Sequence, residues 1–581
     1  MATIAELLQL AGAEFQAGNL AHSESLCRQV LLAEPGHALA HAILGHVLVR
    51  QERLDAAIVQ YRQAVQANPP LFEAHYMLAL ALRDTNQLPE AAVQFGQATR
   101  LRPHFALVFN DYAAVLQSLG RYEEAIACGR EAILFEPTLG QAHNNLATAH
   151  MSQGRVDLAL DGYRTALRLQ PNSALKRSNY LFCRNYDPQA DLDELFAEHY
   201  HWGRLHSVSH PAPRNDPVPE RRLRVGYVSP DFRYHALARY FEPVMAHHDP
   251  QQVEIFCYAE VPFPDAVTAR LEALAHGWRS TCGLSETQVV QQIRDDRIDI
   301  LVDLAGHSAN NRLCVFAHKP APVQATWFGY LNTTGLPAID YRLTDSVLDP
   351  AGQPRRDTEE LLRLPSGMCC FGPPADAPDA GPLPAVGRGH LTFGSLHNLF
   401  KLNAGVFDLW SQILRSMPTA RLLVFRDTLT DTAQSHIIRQ FADRGISSDR
   451  LDLRRWSGAP GYLSIYQEID VSLDAFPVTG GVTTCESLWM GVPVLSLKGA
   501  RPAGRNSAAL LSRVGLGEWA VDTAADYLSM AVGLAGELDR LSALRASLRG
   551  RVQATLCDAA GFTRELEDAY RAMWRRWCAQ S

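Results

Sequence analysis

Five prolines spaced 34 residues apart, Pro35, Pro69, Pro103, Pro137 and Pro171, constrain this chain more than any other feature. Two alanine columns keep the same period: Ala57, Ala91, Ala125 and Ala159, and Ala64, Ala98, Ala132 and Ala166. A further column holds Leu10, Leu44, Leu78 and Leu146, with Tyr112 in the remaining unit. Another holds Tyr61, Phe95 and Tyr163, with Gly129 as the exception. Several columns on one period describe a single supersecondary unit used five times over residues 1–171. Small alanines let two helices cross closely. Proline lacks an N–H and disfavours the helical conformation in the residue before it, so it ends the second helix. A helical hairpin buries its apolar face only against its neighbours, so the units stack into a superhelix with the leucine and aromatic columns as core.

These columns resemble the tetratricopeptide repeat, which implies a concave face that holds protein or peptide partners. Residues 172–207 read as helical, with Leu192, Leu195, Phe196 and Tyr200 on one face, and 208–222 is a Pro-rich connector. Beyond 223 the period changes. LRVGYVS (223–229), VEIFCYA (253–259), IDILVDLAG (298–306) and PVQATWFG (322–329) are short β-branched runs separated by helical patterns at 236–247, 265–276 and 285–296. A second series runs through LTFGS (391–395), RLLVFRD (421–427), RLDLRRW (450–456), DVSLDAF (470–476) and VPVLSLKG (492–499). This alternation predicts two parallel sheets covered by helices, in Rossmann-like domains over 223–385 and 386–581, joined through the Pro/Gly-rich segment 372–389. Such folds bind ligands at the carboxyl ends of their strands.

Composition removes several function classes. A formal net charge of -8 gives no basic footprint for nucleic acid. No apolar run reaches the length of a membrane span. The N-terminus has no basic start and carries Glu6 and Glu14, unlike a secretory signal. The eleven cysteines include no C-x-x-C pair, which argues against disulfide frameworks and zinc ribbons and for a cytoplasmic protein, with the adjacent Cys369 and Cys370 as structural thiols. Among 54 basic residues only Lys176, Lys319, Lys401 and Lys498 are lysines. A lysine kept in so arginine-rich a chain marks a candidate need for a compact ammonium.

Two segments of the last domain suit a diphosphate. Lys401 lies in the loop LHNLFK that leads from a strand to a helix. In FPVTGGVTTCESLWMGVP (476–493), Gly480 and Gly481 allow close backbone approach, and Thr483 and Thr484 open a helix whose amides and dipole favour an anion. Glu486, early in that helix, is placed to accept ribose hydroxyls. The one D-x-D triplet, Asp191-Leu192-Asp193, falls on an amphipathic helix and reads as a solvated face, so no metal site is expected.

SPDFRYH (229–235), DLAGHSANN (303–311), KPAPVQATWFGY (319–330), NTTGLPAIDYRLTD (332–345), FGSLHNLFK (393–401) and VTTCESLWMGVPV (482–494) occur in that order. Together with the repeats they resemble the O-linked N-acetylglucosamine transferase and SPINDLY family, with SANN, NTTG and TTCESLWMGVP closer in wording to the SPINDLY branch. The resemblance implies an all-α tetratricopeptide superhelix followed by an α/β GT-B fold, inversion at the anomeric carbon, and no metal or other cofactor. It assigns Lys401 to the diphosphate and makes His235 the active-site histidine, near the acceptor or sugar, with general-base action as one version. His307 and Ser308 are expected to line the donor sugar, with the loop Asn332, Thr333 and Thr334 beneath it. Asn398 is expected near the diphosphate, Gly480, Gly481, Thr483 and Thr484 around it, Glu486 on the ribose, and Trp456 to Pro460 at the nucleobase.

The chain also departs from that pattern. Some members line the repeat groove with an asparagine before the first-helix leucine; here the column reads Ile43, Met77, Asp111 and Asn145, so Asn145 alone matches. Leu331 stands where relatives often have proline, and Gly481 where N-acetylglucosamine transferases have histidine before the threonine pair. Two donors therefore stay open, UDP-GlcNAc as the first reading and GDP-fucose, used by plant SPINDLY proteins, as the second. A non-catalytic repeat adaptor, and a transferase acting on glycans or small molecules, are the competing functions.

Overall fold

The computed structural model describes residues 2–580 except Ala212, Arg214, Ser457, Ala459 and Pro460. Its chain divides into two compact units, residues 1–150 with 161–171, and residues 151–160 with 172–581.

Each repeat pairs a 13-residue helix with a 14-residue one, from Ile4–Gln16 and Leu20–Ala33 to Gly140–Ser152 and Val156–Leu169. Both alanine columns are fully buried, as are Leu44, Leu78, Tyr61 and Phe95. Leu10, expected in the core, is instead 43% exposed, on a face of the first unit that no described repeat covers. A further column on the same period clamps the turns between units. Nε2 of His41, His75 and His143 donates to the carbonyls of Pro35, Pro69 and Pro137, at 2.8, 2.8 and 2.9 Å. Nδ1 of the first two meets Gln60 and Gln94.

The second unit begins with the helices Ala174–Arg184 and Leu192–His206. Asp191 caps the latter, accepting the N–H groups of Asp193 and Glu194 at 2.9 Å, and Asp193 pairs with Arg356 at 2.7 Å. The D-x-D triplet is thus a helix start and an ion pair.

Among the described residues the first sheet has seven parallel strands: β1 (Leu223–Ser229), β2 (Val253–Ala259), β3 (Gly277–Ser280), β4 (Ile300–Asp303), β5 (Val323–Thr326), β6 (Tyr341–Thr344) and β7 (Glu360–Arg363), in the order β3-β2-β1-β4-β5-β6-β7. The second has six: β8 (Thr392–Ser395), β9 (Arg421–Arg426), β10 (Leu451–Arg455), β11 (Val471–Leu473), β12 (Val494–Leu497) and β13 (Ala520–Val521), in the order β10-β9-β8-β11-β12-β13. Both sheets reverse direction after their first strand, so the crevices open at β1/β4 and at β8/β11. The loops leaving those four strands carry His235, His307, Lys401 and Gly480.

The strands without a sequence signal are β3, β6, β7 and β13. GWRS and ELLR sit at or near sheet edges, half-exposed and short, and β13 has two residues. The Pro/Gly-rich segment 372–389 is pinned to the second sheet's domain by Arg545, which is buried and donates to the carbonyls of Ala380, Gly381, Tyr466 and Ile469. The last helix, Ala559–Cys578, returns to the first sheet's domain: Tyr570 meets Tyr227 hydroxyl to hydroxyl at 3.1 Å, and Phe562 stacks on Trp327.

Candidate functional site

Lys401 ends a three-residue turn, Leu399–Lys401, that follows β8. Its Nζ donates to the Thr479 carbonyl at 2.6 Å, which brings the ammonium to the start of the helix Val482–Trp489. Gly481 caps that helix, and its carbonyl accepts the amides of Thr484 and Cys485. The amides of Gly481, Val482 and Thr483 have no hydrogen-bond partner among the described residues. A half-buried ammonium therefore stands beside three N–H donors at the positive end of a helix dipole, a pairing suited to a dianion. Burial draws Lys401 down to about 8; the nearby Asp474 carboxylate opposes this and Arg426 adds to it.

The loop is held from beneath. Asp474, fully buried after β11, accepts the Gly480 N–H at 2.8 Å, the Ser496 hydroxyl at 2.6 Å and His397 Nε2 at 3.0 Å. A side chain at Gly480 has no room: its Cβ falls 2.1 Å from Thr484 Oγ1. Sequence reasoning missed Asp474 and His397, although both lie inside the quoted strand and loop blocks. Asn398, beside them, keeps a side-chain amide without a hydrogen bond among the described residues and is half-buried. Thr484, expected at the ligand, turns inward to Ser507 Oγ at 2.8 Å, while Thr483 stays half-buried at the helix start.

Glu486 is buried and accepts the Tyr462 hydroxyl. Burial pushes its carboxyl up to about 7, with the Tyr462 bond, Arg239 and Arg426 opposing. Tyr462 and Trp456 face Tyr234 and Arg239 across a cleft of about 260 Å³ between the two sheets' domains. Trp456 and Gly458 of the expected nucleobase border line this cleft; Ser457, Ala459 and Pro460 lie outside the described residues.

His235 is exposed in the loop after β1, next in the chain to Tyr234, which lines this cleft. Its Nδ1 accepts the Leu237 N–H at 3.3 Å and lies 3.6 Å from an Asp231 oxygen. Partial burial lowers its pKa, with Asp231 opposing. With Nδ1 accepting, the neutral ring carries its proton on Nε2 and presents a donor.

Three residues of the first domain's expected sugar site, His307, Thr333 and Thr334, are closed off. His307 is fully buried: Nε2 bonds the Thr334 carbonyl at 2.8 Å, Nδ1 bonds Ser178 Oγ at 2.9 Å, and the ring packs on Trp202, His199 and Tyr330. It does not line a ligand space; it joins the junction helices to the 332–334 loop. Thr333 and Thr334 are likewise fully buried, and Glu359 takes both hydroxyls and the Thr334 amide, the latter at 2.7 Å. Asn332 donates to Asn185 Oδ1 at 2.9 Å and accepts the Thr333 amide. Ser308 is half-buried, and its carbonyl accepts from Asn311. Nothing in the sequence singled out Glu359, one of three carboxylates in residues 357–360 at the start of an edge strand.

In the repeat unit, Asn145 is not a free groove residue. Its amide donates to Asn110 Oδ1 at 3.0 Å, and its Oδ1 accepts from Gln141 at 2.9 Å. Asp111, in the same column one repeat earlier, accepts the Tyr76 hydroxyl at 2.6 Å. The other lysines are structural: Lys319 binds Asp340 and the Ala338 carbonyl, Lys498 pairs with Asp522 at 2.8 Å, and Lys176 is buried. Cys369 and Cys370 are buried free thiols. Among the described residues no cluster of His, Cys, Asp or Glu has the make-up of a metal site, and no helix is long and apolar enough to cross a membrane.

The sequence matches the family described as glycosyl transferase family 41 over residues 201–370 and 386–566, and tetratricopeptide repeat families over 45–82, 76–138 and 140–173. A relative from Oryza sativa subsp. japonica, named a probable UDP-N-acetylglucosamine–peptide N-acetylglucosaminyltransferase SPINDLY, is 40% identical over 69% of this chain and 44% of its own length. The Arabidopsis thaliana relative named SEC is 28% identical over 62% of this chain and 38% of its own. The chain thus spans less than half the length of these curated relatives. A solved lysine-to-methionine mutant of the Thermobaculum terrenum O-GlcNAc transferase superposes with a TM-score of 0.79 at 33% identity, covering 94% of this chain and 98% of that one.

Proposed function

The chain belongs to glycosyl transferase family 41, and from that membership we propose that it transfers a sugar from a nucleotide donor to serine or threonine of other proteins. One observation carries the reading: Lys401 bonds the Thr479 carbonyl beside three free amides at a switch-point helix start. Glycosyl transfer builds negative charge on the departing diphosphate, and donors fixed in advance where that charge grows supply most of the catalysis. Lys401 and the amides of 481–483 take that charge, so the reaction needs no metal in this scheme. Asn398 contributes its unused amide, and Glu486, backed by Tyr462, accepts the ribose hydroxyls.

The acceptor hydroxyl attacks the anomeric carbon from the face opposite the diphosphate, with inversion. His235 follows Tyr234 of the cleft lining in the chain, and its Nε2–H has no hydrogen-bond partner among the described residues. That tautomer suits it to hydrogen-bond a substrate oxygen, and less to remove the acceptor's proton, for which the Nε2 lone pair is needed. The sugar meets Ser308 and the outer surface of the 332–334 loop; His307, Thr333 and Thr334 fix that loop's shape. The repeats supply the surface for protein acceptors.

The donor is proposed to be UDP-GlcNAc, the substrate for which these relatives are named. A second reading, GDP-fucose, is favoured by Gly481, which leaves backbone where N-acetylglucosamine transferases have a histidine side chain. The test incubates the protein with each donor and co-expressed acceptor proteins and follows intact mass. Addition of about one N-acetylhexosamine per site from UDP-GlcNAc supports the first reading. Addition of deoxyhexose from GDP-fucose supports the second, and no addition from either leaves a repeat adaptor.

A further inference from the structure

We propose that Gln153 and Gly154, in the turn between the two helices of the fifth repeat, are positioning residues for the diphosphate end of the donor site. The inference rests on the donor-site reading above. The turn belongs to the same compact unit as both Rossmann-like domains.

The repeats themselves show what is unusual about Gly154. Gly18, Glu52, Asn86, Gly120 and Gly154 stand 34 apart, and all have positive φ, at 83, 60, 59, 68 and 76°. Glu52 and Asn86 take up this left-handed turn with a side chain in place, so the backbone alone does not demand glycine here. At Gly18 an added Cβ meets nothing within 4 Å. At Gly154 it meets the Leu399 carbonyl oxygen at 2.9 Å, its carbon at 3.3 Å and the Leu399 Cβ at 3.4 Å. The glycine is required by the approach of the turn that bears Lys401.

Leu399 opens that turn, is buried, and accepts the Leu402 N–H through the same carbonyl. Next to it, Gln153 is 6% exposed and holds the loop that follows β9: its Oε1 accepts the Thr430 hydroxyl at 3.0 Å, and its Nε2 donates to the Thr428 carbonyl at 3.3 Å. The repeat turn therefore braces two neighbouring loops at the carboxyl edge of the second sheet, one of which aims Lys401 at the Thr479 carbonyl. A shift of Leu399 moves the ammonium relative to the amides it works with. Neither Gln153 nor Gly154 touches the substrate in this scheme.

The experiment titrates UDP, GDP, uridine and guanosine calorimetrically into the full chain and three variants. Gly154→Asn keeps the turn conformation seen at Asn86 and adds the Cβ that meets Leu399. Gln153→Ala releases the β9 loop, and Gly18→Asn is the control in an open turn. The expected result is that Gly154→Asn weakens the preferred diphosphate about tenfold while its nucleoside changes less than about twofold, because misplacement falls on the phosphate end. The fall of affinity with pH near 8, set by Lys401, moves in the same variant. Gln153→Ala follows in the same direction with a smaller loss and keeps the test open should Gly154→Asn fail to fold; Gly18→Asn matches the wild type. Equal loss for diphosphate and nucleoside, or no loss in either fifth-repeat variant, overturns the proposal. A wild type that binds no nucleoside diphosphate overturns the donor-site reading itself.

Discussion

Thr333–Thr334 in the first Rossmann-like domain and Thr483–Thr484 in the second are the same pair of letters with opposite outcomes. The first pair is sealed: both residues are fully buried, and one carboxylate, Glu359, takes their hydroxyls. The second opens a helix whose first amides are free, with one hydroxyl turned inward to Ser507. Polar letters in a loop become a ligand site only where the protein leaves them without a partner. The same contrast separates the histidines, since His307 spends both nitrogens inside the protein and exposed His235 has no hydrogen bond at Nε2 among the described residues.

The comparison breaks most visibly at Gly480. Gly480→Ala forces Thr484 off its bond and tilts the helix start, and we expect nucleoside diphosphate affinity to fall about a hundredfold with the fold intact. Calorimetry with circular dichroism checks both halves of that statement. Glu359→Ala tests the other side: it leaves the buried Thr334 amide without its acceptor and takes one from both threonine hydroxyls, so chemical denaturation should show a loss of about 1–3 kcal/mol, with nucleotide affinity nearly unchanged. A large affinity loss there would mean that the first pair is part of the site after all.

A pH series sharpens the picture further. Nucleotide binding favours the Glu486 carboxylate and the Lys401 ammonium. Affinity should therefore rise as pH increases through about 7 and fall through about 8. Glu486→Gln removes the rising limb alone. The same carboxyl also makes stability depend on pH. The Glu486 carboxyl is raised above its unfolded value, so it contributes stability at low pH and loses it as pH rises through about 7. Glu486→Gln should thus be more stable than the wild type at pH 8, by about 2 kcal/mol, and no more stable at pH 4, as thermal melts will show.

The repeat half was almost fully legible, because one period fixes five units and both alanine columns report the same close packing. The two sheets were legible wherever strands are long and apolar; GWRS, ELLR and the two-residue β13 carry no such signal. Lys401 and the glycine-initiated helix start could be read because their chemistry is local to one loop each. The closure of His307, Thr333 and Thr334 could not, since it depends on Ser178 and Glu359, which lie in other elements of the chain and are unremarkable in it. Nor could the His397–Asp474 support be read, which links the ends of two adjacent strands.

The central claim is that Lys401 and the free amides of 481–483 hold a diphosphate together. Titrating UDP and GDP, each beside its nucleoside, into wild type and Lys401→Ala tests it directly. The account predicts that one diphosphate binds the wild type, that Lys401→Ala weakens it about a hundredfold or more, and that the matching nucleoside barely changes. Equal binding of the diphosphate by both proteins would contradict it.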